Sequence, residues 1–131
     1  MVMPYLHYNG DCEEAFSFYA EAFGGKVESI SRFGNDPNKK VMHSMVTLTE
    51  TGAVSGSDQS EEDGPIEIPK VEILVFLPSR DKVEEVLAKL SEGGTVVSGF
   101  HPHPPPDDKG GCAVVADRYG YKWILCAGVD D

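Results

Sequence analysis

Apolar positions in the first quarter of the chain change their spacing. From Met3 to Tyr8 they crowd together, whereas Phe16, Tyr19, Ala20 and Phe23 fall at i, i+3, i+4 and i+7, with Glu13, Ser17 and Glu21 on the other side. The first spacing predicts a strand, and the second an amphipathic helix. Asn9-Gly10 supplies a turn between them, and Asp11 with Glu14 has capping-box spacing, so the helix is expected to begin near Cys12. Gly24-Gly25 ends it, because glycine takes the left-handed cap conformation at little cost.

The pattern then repeats. A run from Val71 to Leu77 predicts a strand, which leads through Pro78-Ser79 into a helix with Val83, Val86, Leu87 and Leu90 on one face and a second stop at Gly93-Gly94. The helical faces are offset by 67 positions (83 minus 16) and the glycine pairs by 69 (93 minus 24). Such an offset marks a repeated half-domain. Three strands are expected after each glycine pair, at Val27 to Phe33, Val41 to Leu48 and Ala53 to Ser57, and then at Val96 to Phe100, Cys112 to Ala116 and Tyr121 to Cys126. The fold class that follows is α+β: two βαβββ modules forming a curled eight-stranded mixed sheet around a cavity, with the helices on the outer face. Module one is read as residues 1–58, a polar linker as 59–69 and module two as 70–129, together one domain.

Composition narrows the function classes. At 131 residues and 40% hydrophobic content the chain can bury a substantial core. Its net charge of −11 sets it against nucleic acid and anionic membranes, and leaves open either acidity for solubility or a neutral or cationic small-molecule partner. No apolar run is long enough to span a membrane and the N-terminal residues lack signal-peptide character, so a cytoplasmic location is expected. Cys12, Cys112 and Cys126 are odd in number and form no Cys-x-x-Cys pair, so free thiols are expected. A phosphate loop, a nucleophile elbow and a dinucleotide-binding glycine turn are all missing.

Paired βαβββ modules in a chain of this length resemble the vicinal-oxygen-chelate superfamily, which includes glyoxalase I, extradiol dioxygenases and the bleomycin and fosfomycin resistance proteins. Four local patterns are similar to its PhnB-like branch: Pro4-Tyr5-Leu6 with Asn9 to Ala15 and Phe18-Tyr19; Phe23-Gly24-Gly25; Met42-His43-Ser44 with Ser57-Asp58; and Asp117-Arg118-Tyr119-Gly120 before Trp123. The resemblance implies a metal site with one ligand early in the first strand, one late in module one, one opening module two and one in the last strand. These positions fall at Pro4, at Ser55 or Ser57, at Val71 or Glu72, and at Ile124. At most one ligand survives where a divalent cation wants three or four, so no metal and no other cofactor is expected.

The same alignment implies a cavity lining. With Pro4 facing the cavity, strand parity adds Leu6 and Tyr8 and turns His7 toward the helix. His43, Ser55, Ser57, Asp58, Lys122, Ile124 and Cys126 join the candidate ligand-binding set. His43 lies mid-strand where PhnB-like sequences also tend to carry histidine; it is the candidate base, against a structural hydrogen bond, and Asp58 either orients it or caps a turn. Trp123 reads as core rather than as a stacking platform. The stretch from His101 to Gly111, rich in proline, reads as a surface loop, with a lid or weak metal binding through His101 and His103 as the sharper alternatives. Two functions stand: a binding protein with a degenerate metal site holding a small molecule between its modules, or a lyase, isomerase or transferase using non-standard metal ligands or His43 as base. A homodimer is expected in either case, as superfamily members commonly pair.

Overall fold

Two glycine pairs mark the same structural point twice. Gly24 and Gly93 both have a φ of 75°, in the left-handed region, and turn the chain out of a helix. A Cβ on the next residue, Gly25 or Gly94, would run into the backbone carbonyl of Thr47 or Ala116. Each pair therefore ends a helix and lets the chain pass close against a neighbouring strand. The computed structural model describes residues 2–59, 71–105 and 110–128; the expected linker lies almost wholly outside them.

The chain divides into two compact units, Met1–Glu67 and Ile68–Asp131. In the first, β1 (Tyr5–Tyr8) is followed by α1 (Cys12–Phe23), β2 (Lys26–Arg32), β3 (Val41–Thr47) and β4 (Ala53–Asp58). In the second, β5 (Ile73–Leu77) is followed by α2 (Arg80–Leu90), β6 (Thr95–Pro102), β7 (Gly111–Ala116) and β8 (Lys122–Ala127). The sheets have matching orders, β1-β4-β3-β2 and β5-β8-β7-β6, and in each the first strand pairs parallel with the last. The two βαβββ modules are as expected. The single curled sheet of eight strands is not: the strands form two four-stranded mixed sheets, one per module.

Each helix covers one face of its own sheet. Beneath α1 lie Leu6, Tyr8, Val46 and Val54, meeting Cys12, Ala15, Phe16, Tyr19, Ala22 and Phe23, all buried. Tyr8 packs edge-on against Phe16, and its hydroxyl donates to that of Tyr19 at 2.8 Å. Beneath α2 the buried face is Ile73, Val75, Leu77, Ala113, Val115, Trp123 and Leu125, meeting the expected stripe of Val83, Val86, Leu87 and Leu90. Apolar faces of this kind supply most of the driving force for folding.

Three local expectations are corrected. The side chain of Asp11 makes no cap bond; instead the carboxylate of Asp58, at the end of β4, accepts from the N–H groups of Gly10 at 3.0 Å, Cys12 at 2.9 Å and Val41 at 2.9 Å. Only Cys12 is a free thiol, because Cys112 and Cys126 face each other across β7 and β8 and are joined as a disulfide. His101 and Pro102, read as loop, extend β6. Among the described residues no helix is long and apolar enough to cross a membrane.

Candidate functional site

Pairing register decides which side chains share a face, and it reverses the parity expected for β1. Leu6 and Tyr8 lie under α1, while Tyr5 and His7 point to the side of the sheet that no helix of the module covers. The physical reason is the helix stripe itself: Phe16 and Tyr19 need apolar partners, and of the two alternating sets in β1 only Leu6 and Tyr8 provide them with a hydroxyl placed for Tyr19. Alternation of His7 with two apolar neighbours was the available signal.

On that uncovered face, Tyr5 pairs across to Ser55 and Ser55 to Met45, while His7 pairs to Ser57. His43, two residues before Met45, lies on the same side. The Tyr5 ring meets both imidazoles, with centroids 5.3 Å from His7 and 6.0 Å from His43, the latter nearly parallel at 21°. Ser55 and Ser57 are buried between the larger side chains, and the Ser55 hydroxyl meets the Met3 sulfur at 3.2 Å. His43, Ser55 and Ser57 of the expected set are thus brought together, with Tyr5 and His7 added. Asp58 faces the helix, where three backbone N–H groups take up its carboxylate. It neither contacts nor orients His43.

Module two has an uncovered face of different character. Register places Phe76, Cys126, Cys112 and His101 in one row across the sheet, and Leu74, Ile124 and Val114 in the next. Lys122, Ile124 and Cys126 share this face as expected from their alternation. Leu74 and Phe76, which are 49% and 70% exposed, join the face without having been legible from the sequence. The unbroken apolar run of β5 hid them, since such a run does not say which alternate residues a helix will cover. Trp123 is core: it is fully buried, and its indole N–H donates to Asp117 at 2.9 Å. The other oxygen of Asp117 accepts from the N–H groups of Tyr119 and Tyr121 and shapes the turn between β7 and β8.

The four metal positions implied by resemblance do not fit a cation. Proline and isoleucine at Pro4 and Ile124 have no donor atoms, and among the described residues no group of three or more His, Cys, Asp or Glu side chains is arranged to hold a metal.

Residues 4–125 match the family model described as Glyoxalase/Bleomycin resistance protein/Dioxygenase superfamily. Among solved structures, protein PA1353 from Pseudomonas aeruginosa is similar at 28% identity and a TM-score of 0.82, covering 98% of this chain and 97% of that one. The PhnB protein from Bacillus cereus is similar at 23% identity and a TM-score of 0.77, covering 97% and 98%. The fosfomycin resistance protein FosX from Listeria monocytogenes, complexed with Mn(II) and sulfate, shares the fold at 14% identity and a TM-score of 0.62, covering 98% and 91%. None of the curated proteins matches the chain.

Proposed function

The chain belongs to the glyoxalase/bleomycin resistance protein/dioxygenase superfamily, and from that membership we propose that it is a small-molecule-binding protein with a degenerate metal site. The observation that carries this reading is the uncovered face of module one, where Tyr5, His7 and His43 cluster over two buried serines. Such a face offers aromatic surface together with a few placed polar groups, the usual composition of a small-molecule site. Tyr5 and the net charge of −11 favour a planar neutral or cationic ligand. The uncovered face of module two, with Leu74, Phe76 and Ile124, adds apolar area suited to the same class of ligand. The test is a thermal-shift screen of planar amines and neutral aromatics against the wild-type chain and Tyr5→Ala. Hits that stabilise both proteins equally would remove this face from the reading.

A second reading is catalytic, with His43 as a general base. It is favoured by the exposure of His43 on the same face. His43→Ala would abolish turnover of any substrate found, while leaving the fold intact.

A further inference from the structure

Cys112 and Cys126 lie directly opposite on neighbouring strands, yet their surroundings differ. Cys112 is partly accessible, whereas Cys126 is only 3% exposed. His103 adds a second asymmetry, because its Nε2 is 3.3 Å from the Cys112 sulfur. This contact follows from the strand ladder. The N–H of His103 donates to the Gly110 carbonyl at 2.9 Å, carrying the pairing of β6 with β7 one residue past Pro102 and Gly111. His103 thereby becomes the diagonal neighbour of Cys112 on the same face, and Gly110 opposite it has no side chain to come between them.

We infer that Cys112, Cys126 and His103 form a thiol–disulfide exchange site whose partners are small-molecule disulfides and thiols. In the reduced protein His103 takes the proton of the Cys112 thiol, and the resulting thiolate attacks one sulfur of a disulfide RSSR. The RSSR bond breaks, a Cys112–SR bond forms, and RS⁻ leaves to pick up a proton. The Cys126 thiol gives up its proton to solvent, and its thiolate attacks the Cys112 sulfur, forming the intramolecular disulfide and expelling the second RS⁻, which is protonated in turn. Two electrons and two protons pass from the cysteines to RSSR, giving 2 RSH. Reduction by a monothiol runs the same steps backwards. The more accessible sulfur with a base beside it is the nucleophile, and the buried one is the resolving thiol. In a reducing compartment, disulfides are chiefly of this transient, redox-active kind.

The third cysteine is an internal control. Cys12 is fully buried, and burial, reinforced by the Asp58 carboxylate and Glu13, pushes its thiol up to about 12. It should not exchange in the folded chain.

The experiment uses the full chain, reduced, desalted and exposed to oxidised glutathione, with thiols and adducts located by peptide mass spectrometry. Wild type should lose the Cys112 and Cys126 thiols together and retain Cys12, whereas Cys126→Ser should accumulate one glutathione on Cys112. His103→Asn keeps a polar group near the sulfur but cannot accept its proton, and should slow the first step about 10-fold, since an ordinary thiol is only a few per cent thiolate at neutral pH. A pulse of iodoacetamide on reduced wild type should label Cys112 first, a readout independent of how either variant folds. Adducts spread equally over the three cysteines, or a pulse that labels Cys126 or Cys12 before Cys112, would overturn the proposal. So would an unchanged rate in a folded His103→Asn variant.

Discussion

Asp58 holds the N–H of Cys12 at 2.9 Å from a position 46 residues away in sequence. The start of α1 is thus capped by the end of β4 rather than by its own N-cap residue. Because the same carboxylate also accepts from Gly10 and Val41, one side chain ties the helix, the turn before it and the start of β3 to the closing strand of the module.

Asp58→Ala should therefore cost about 3 kcal/mol, as it leaves N–H donors unpaired at a buried position. Asp11→Ala, which removes no cap bond, should stay within about 0.5 kcal/mol of wild type. Urea unfolding of the two variants would separate the local cap from the distant one.

The Cys12 thiol supplies a pH test. Below about pH 9 it is protonated in both folded and unfolded chains, so it contributes no pH dependence there. Between about 9 and about 12 the unfolded chain releases the proton while the folded chain keeps it. Stability should then fall with pH by about 1.4 kcal/mol per unit from this group. Comparing urea midpoints of wild type and Cys12→Ala from pH 8 to pH 10 isolates the increment, which the variant should lack.

Gly25→Ala and Gly94→Ala should each destabilise by about 3 kcal/mol, because the added methyl meets a strand carbonyl that has no room to move. Gly99→Ala, where a Cβ would have no neighbour within 4 Å, should change stability by less than about 0.5 kcal/mol. Equal losses at the two paired positions would bear out their equivalence in the repeat.

Neighbours in β5 should behave oppositely. Val75→Ala removes buried methyls under α2 and should cost about 2 kcal/mol, whereas Phe76→Ser, on the uncovered face, should cost under about 0.5 kcal/mol. Ligands found in the thermal-shift screen that use the apolar face should bind Phe76→Ser several-fold more weakly, measured by calorimetry.

What the sequence made legible was local or periodic. The stripe of Val83, Val86, Leu87 and Leu90 is buried as its spacing requires, and Ser79, in the expected lead-in to α2, caps that helix by accepting from the Lys82 N–H at 3.1 Å. The glycine pairs carried the repeat because two separate constraints, a left-handed φ and a close strand approach, both demand glycine. Long-range pairings were hidden. Nothing near Asp58 announces that it serves a helix begun at residue 12, and Cys112 and Cys126 become partners only once the register of β7 and β8 is known. The parity of β1 is hidden for a related reason: it follows from the side chains that Phe16 and Tyr19 must cover, not from the resemblance at Pro4.

The parallel closure of each sheet also bears on how the chain folds. Tyr5 pairs with Ser55 and Ile73 with Trp123, a separation of 50 residues in both modules (55 minus 5, and 123 minus 73). Contacts this distant along the chain carry a loop-closure cost that hairpins such as β3 with β4 avoid, so the hairpins form early and the first strand of each module docks late. During synthesis every strand of the first sheet is available once residue 58 has left the ribosome. Its assembly can begin before β5 emerges, which limits pairing of the two near-identical strand orders with one another's partners.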